Sequence, residues 1–141
     1  MKKILFSISF LLILASTALA QDHIFKIGFK SEGILYYGVL ITYEGSEWLM
    51  RLKYYDSSCD CNHIVQENMS VSTFGDGYKL KGYNVKDGIS NRRLTNEEYA
   101  ADNLYFYIDD YGTTHLTNID NQLLISEVTI FEVKAWEIKQ H

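Results

Sequence analysis

The chain has 141 residues, 47% of them hydrophobic and 22% charged, with 13 Lys and Arg against 18 Asp and Glu for a net charge of −5. That size suits one domain, and the acidic balance argues against phosphate backbones, so no nucleic-acid partner is expected. Proline is absent, so no prolyl isomerisation can limit folding, and any sheet edge must be protected by other means.

The first twenty residues have the three parts of a secretory signal peptide. Lys2 and Lys3 supply a positive start, an apolar run covers Ile4 to Leu14, and Ala18-Leu19-Ala20 offers a small-x-small cleavage site. The reading is therefore a cleaved leader, 1–20, followed by a single domain, 21–141, exported to the periplasm, the cell surface or the medium. The apolar run is too short to span a bilayer comfortably, and no second run is apolar enough, so no membrane span is expected once the leader is gone. Losing both leader lysines leaves 11 basic against 18 acidic residues, and the net charge falls to −7.

Beyond the leader the pattern has period two. His23 to Lys30 alternates, with Phe25, Ile27 and Phe29 on one side. Ile34 to Tyr43 and Glu47 to Asp56 form the clearest pair. Leu35, Tyr37, Val39, Ile41 and Tyr43 share one face of the first; Trp48, Met50, Leu52 and Tyr54 share one face of the second. Gly45-Ser46 between them suits a two-residue turn of type II′. That turn sets a register with Tyr43 opposite Trp48, Ile41 opposite Met50, Val39 opposite Leu52 and Tyr37 opposite Tyr54, each apolar side chain meeting another.

Further strands are expected at Ile64 to Phe74, with Val65, Met69 and Val71 on one side, and at Tyr78 to Val85 after Gly75-Asp76-Gly77. Thr95 and Glu98 have capping-box spacing and predict one short helix inside the longest loop, Lys86 to Asn103. Leu104, Phe106 and Ile108 alternate with Tyr105 and Tyr107, and Asp109-Asp110-Tyr111-Gly112 reads as a hairpin loop into His115 to Ile119. The last run fits either a helix face (Leu124, Val128, Phe131, Ala135, Ile138) or a strand, and its β-branched Val128, Thr129, Ile130 and Val133 favour strand. The sum is an all-β chain: an antiparallel β-sandwich or small β-barrel of about eight strands with one short helix.

Cys59-Asp60-Cys61-Asn62-His63 carries the most reactive side chains. Export favours a Cys59–Cys61 disulfide, and residues two apart reach each other only across a local turn. Free thiols remain open, and so does a zinc or copper site on Cys59, Cys61 and His63. Three local donors do not close a tetrahedron, so a metal would need a fourth from Asp56, His115 or elsewhere. No cofactor is called for. The nucleophile elbow, the zinc-protease helix, the phosphate-binding loop and the dinucleotide glycine fingerprint are all missing from the sequence, and no enzymatic activity is expected. Eleven Tyr, seven Phe and two Trp serve mainly as core and cross-strand packing. Tyr36, Tyr55, Tyr105 and Tyr107 are the candidates for a solvent-facing platform that binds a sugar or a peptide.

Tyr37-Gly38-Val39-Leu40, Tyr43-Glu44-Gly45, Met50-Arg51-Leu52-Lys53-Tyr54 and Val65-Gln66-Glu67-Asn68-Met69 resemble a small secreted β module of uncharacterised function, found in exported bacterial proteins and sometimes appended to caspase-like peptidases. The peptidase part has no counterpart here, so the resemblance implies an accessory or interaction role and transfers no catalytic residue. The expectation is a non-catalytic binding module that meets a protein, peptide or glycan through one sheet face. The alternative is a lipocalin-like carrier of a small apolar ligand. A carrier needs an enclosed apolar cavity, whereas a module needs a filled core and an exposed aromatic patch.

Overall fold

The computed structural model describes residues 23–45, 47–120 and 123–133; the expected leader, Ser46, Ala135 and Ile138 lie outside them. Among the described residues there are eight strands: β1 (His23–Ser31), β2 (Ile34–Thr42), β3 (Glu47–Asp56), β4 (Cys61–Phe74), β5 (Gly77–Asp87), β6 (Asn103–Ile108), β7 (Thr114–Asp120) and β8 (Leu123–Val133). Each pairs antiparallel with the next, and β8 returns to β1 through Ile24↔Val133 and Ile27↔Ile130. The sheet is a closed up-and-down barrel, which decides between the two all-β architectures. Closure leaves no strand edge to guard, and this answers the missing proline. The C-terminal run is a strand as far as Val133.

Alternation places one side of every strand indoors. Phe25, Ile27 and Phe29 of β1 meet Leu40, Met50, Leu52, Val65, Met69, Leu80, Leu104, Leu116 and Val128 in one continuous core. A barrel of eight strands is just wide enough for side chains to fill it, and these do.

The β2–β3 register differs by one residue from the turn-based expectation. Leu40 faces Met50, Gly38 faces Leu52 and Tyr36 faces Tyr54. The inner face of β3 is as expected, but β2 turns Tyr36, Gly38 and Leu40 inward and leaves Leu35, Tyr37 and Tyr43 exposed. Both faces of β2 are apolar, so alternation alone cannot choose between them. Close approach decides. The β3 backbone passes so near Gly38 that a Cβ there would sit 1.9 Å from the Arg51 carbonyl oxygen. The strands are joined by four residues, 43–46, rather than by a two-residue turn.

The expected short helix does not form; a single hydrogen-bonded turn at 96–98 stands in its place. Its capping box is present: the Thr95 N–H donates to Glu98 Oε2 (2.8 Å) and the Glu98 N–H to Thr95 Oγ1 (3.3 Å). Two backbone bonds to Thr95 O, from the Glu98 N–H at 3.1 Å and the Tyr99 N–H at 3.0 Å, close the turn. The chain must then deliver Tyr99 to the core and start β6 at Asn103, so no second turn forms.

The two ends of the barrel are unlike. The connections 43–46, 75–76 and 109–113 ring one mouth, and 32–33, 57–60 and 88–102 ring the other. Loop 88–102 folds over its own end, where Leu94 and Tyr99 pack against the core and the Leu94 N–H donates to Val85 O at 2.9 Å. The opposite mouth has no such cover among the described residues.

Candidate functional site

At the uncovered mouth a cavity of about 390 Å³ opens above the core. Its floor is aromatic: Trp48 and Phe106 meet edge-on at 5.2 Å, Phe25 and Phe106 at 5.6 Å, and Tyr78 lies 6.0 Å from Trp48. Phe25, Trp48 and Phe106 are buried, while Tyr78 reaches solvent. The rim is polar, with Thr42 and the paired His23 and Glu132. The β-alternation explains the arrangement, because each floor residue is the last or nearly the last inward position of its strand. The rings therefore form one layer where the aliphatic core stops. Sequence reasoning assigned these rings to packing and did not single out the layer.

The four candidate tyrosines do not form one platform. Tyr105 and Tyr107 do come together, stacked at 5.3 Å on the outer face of β6. Phe74 extends their row at one end (5.7 Å from Tyr105) and His115 at the other (4.6 Å from Tyr107). The Asp109 carboxylate accepts from His115 Nε2 at 2.9 Å and from the Thr113 N–H at 2.8 Å, and these bonds hold it well below the usual carboxylate range. Tyr55 stands apart on β3 and hydrogen-bonds Asp60. Tyr36 is inside the barrel, stacked on Phe29 at 5.0 Å and beside Tyr54 at 5.0 Å. Burial, followed by the neighbouring Tyr54, raises its hydroxyl pKa.

Tyr36 belongs to the covered end, above two buried carboxyls that sequence reasoning passed over. Glu67 sits on the inner face of β4 between Val65 and Met69, where the pairing with β5 shifts register. Its Oε2 accepts from the Asp102 N–H at 3.1 Å, and Oε1 has no hydrogen-bond partner among the described residues. Tyr99 donates its hydroxyl to Asp102 at 2.9 Å. Burial first, and then the adjacent Asp102, pushes Glu67 up to about 10, so it keeps its proton and donates to the Asp102 carboxylate. Burial raises Asp102 and Tyr99 as well. The approach is tight: a Cβ on Gly82 would fall 2.3 Å from Glu67 Oε2. A carboxylate spaced two residues from Val65 and from Met69 was the available signal.

Cys59, Cys61 and His63 gather at the rim of the same end, on the β3–β4 turn. Asp56 starts the turn by accepting from the Ser58 N–H (2.8 Å) and hydroxyl (2.6 Å) on Oδ1; these two bonds come first among the causes that lower its pKa. Asp60 takes a positive φ of 52°, which a short polar side chain tolerates, and the bend brings the two cysteine sulfurs side by side with a Cα–Cα distance of 5.2 Å. His63 Nε2 lies 3.6 Å from Cys59 Sγ, 3.4 Å from Cys61 Sγ and 3.5 Å from Asp56 Oδ2. Tyr54, opposite it in register, stacks on the imidazole at 5.1 Å. Of the two named fourth donors, Asp56 joins this group, whereas His115 is at the other mouth. No protein-family model matches this chain, and neither a curated protein nor a solved structure matches it.

Proposed function

We propose that the protein is an exported, non-catalytic binding protein that holds a small amphipathic ligand in the uncovered mouth of its barrel. The observation that carries this reading is the aromatic floor under a polar rim, in a cavity of about 390 Å³, within the range that small-molecule sites occupy. The filled interior below the floor limits the ligand to the mouth, so a deeply enclosed lipocalin-like cavity is not part of this reading. The outer face carries Lys26, Arg51, Lys53, Lys79 and Lys81, where a membrane-spanning barrel presents an apolar band. Among the described residues no helix is long and apolar enough to cross a membrane. The acidic chain favours neutral or cationic ligands. In the oxidising compartment the reading assigns Cys59 and Cys61 to a disulfide, which intact mass before and after alkylation without reductant checks.

The test is titration with the neutral fluorophore N-phenyl-1-naphthylamine. Saturable binding at one site per chain is expected, weakened about ten-fold or more by Ile108→Trp, which fills the mouth from an exposed position. Binding that is unsaturable, or indifferent to that substitution, would sink the proposal.

A second reading rests on the row Phe74, Tyr105, Tyr107 and His115: a sheet face that docks a peptide or glycan, since aromatic faces stack on such partners. Capture of a partner that is lost in Tyr107→Ala and kept in Ile108→Trp would favour it over the mouth.

A further inference from the structure

We propose that the β3–β4 turn, once reduced, binds a zinc ion through Cys59 Sγ, Cys61 Sγ, His63 Nε2 and Asp56 Oδ2. The turn then has two mutually exclusive states, a disulfide and a metal dithiolate. This site lies at the opposite end of the barrel from the mouth and does not depend on it.

The spacing of the donors supports a tetrahedron. Zinc holds sulfur at about 2.3 Å and nitrogen at about 2.0–2.1 Å, which at tetrahedral angles separates the two by about 3.6 Å, and separates nitrogen from a carboxylate oxygen by about 3.4 Å. The corresponding distances from His63 Nε2 are 3.6 Å and 3.4 Å to the sulfurs and 3.5 Å to Asp56 Oδ2. Three of the six edges of the tetrahedron, those that meet at the imidazole, are thus close to their lengths in a zinc site. The sulfur–sulfur edge must open, and the two edges from the sulfurs to Asp56 Oδ2 must form as the ion draws the donors together; reduction permits the first, because Cys59 is exposed on the turn.

The surroundings hold the donors in place. Ser58 occupies Asp56 Oδ1 and leaves Oδ2 directed at the site. The ring of Tyr54 fixes the plane of His63. Asp60, between the two cysteines, is held away by Tyr55. Four protein donors with two soft thiolates match a closed zinc site, as opposed to a hydrolytic one, which keeps a position for water. The ion would lock the turn and would carry out no reaction.

The exchange balances. The disulfide accepts two electrons and two protons from an external dithiol, which leaves as its own disulfide. Zinc then displaces both thiol protons to solvent.

The test uses the purified protein, reduced with a phosphine and kept anaerobic, and titrated with Co²⁺ as a spectroscopic substitute. One equivalent is expected to produce thiolate-to-cobalt charge transfer and intense tetrahedral d–d bands, which one equivalent of Zn²⁺ bleaches. The oxidised protein should give neither. Asp56→Asn, a change at the half-exposed end of β3, should weaken Co²⁺ binding about ten-fold, and Cys61→Ser should abolish the charge-transfer band, with the far-ultraviolet β-signal unchanged in both. A reduced wild-type protein without these bands, or with the weak spectrum of an octahedral ion, overturns the proposal. So does affinity that is unaltered by Asp56→Asn, which would remove the fourth ligand from the assignment.

Discussion

Replacing Glu67 by Gln tests the buried carboxyl pair most directly. In the folded protein Glu67 stays protonated to about 10, against an ordinary value of 4.5. A carboxyl whose folded pKa is raised binds more protons folded than unfolded, so its contribution falls as pH climbs from about 4.5 towards 10. Each unit costs about 1.4 kcal/mol, so at pH 7 the wild type has forfeited about 3 kcal/mol at this position. Glu67 is only 1% exposed, so solvent offers little screening. Gln keeps the shape, and its amide can donate to Asp102 in place of the acid proton without ionising. Urea unfolding at pH 5, 7 and 9 should therefore show wild type and E67Q nearly equal at the acid end. The variant should lead by about 3 kcal/mol at pH 7 and by more at pH 9, with equal m-values. A residual slope in the variant comes from Asp102, whose pKa burial also raises. Parallel pH profiles, or a wild type whose stability rises from pH 5 to 9, would refute the reasoning.

Three further outcomes are expected. Gly38→Ala forces a methyl to within 1.9 Å of the Arg51 carbonyl oxygen and should lower stability by about 1–3 kcal/mol or more; an unchanged urea midpoint would remove the close-approach argument for the β2–β3 register. Glu98 is held down to about 2 by Arg92 and the Thr95 N–H. Its hold on loop 88–102 is thus present above its ordinary pKa of 4.5 and fades as pH falls through about 2, whereas Glu98→Gln should lose amide protection at Thr95 throughout that window. Asp109→Asn weakens the bond to His115 and should fray the 109–113 connection, read as faster exchange at the Thr113 amide with the barrel centre unaffected.

Strand content was legible because a half-buried strand writes its burial into alternate residues. In β1 and β3 the largest apolar side chains fall on one side, and that side faces the core. β2 misleads for a physical reason. Its outer Leu35, Tyr37, Val39 and Ile41 are as apolar as an inner face, and the deciding contact is a backbone approach at Gly38 that no side-chain pattern encodes. The capping box was legible, but its length was not, because the stop is imposed by Tyr99 packing into the barrel. The cysteine–histidine group was visible as local spacing; Asp56 entered it through the Asx turn. The mouth was invisible, since Phe25, Trp48, Tyr78 and Phe106 are distant in sequence and meet only when the sheet closes. The Glu67–Asp102 pair needed the same closure, with 35 positions separating its members.

Seven of the eight strand pairings join chain neighbours, and only β1–β8 joins the two extremes of the described chain, with His23 meeting Glu132 across 109 positions. Bringing ends that far apart together loses about 2 kcal/mol more chain entropy than closing a loop of about ten residues. The seam is therefore the pairing with the largest loop to close, and the one that needs every other pairing in place before its two strands can meet. Until it zips, the protein is a curled eight-stranded ribbon with two raw margins. Its solubility before that moment rests on the surplus of negative charge that keeps one such ribbon from adding to another.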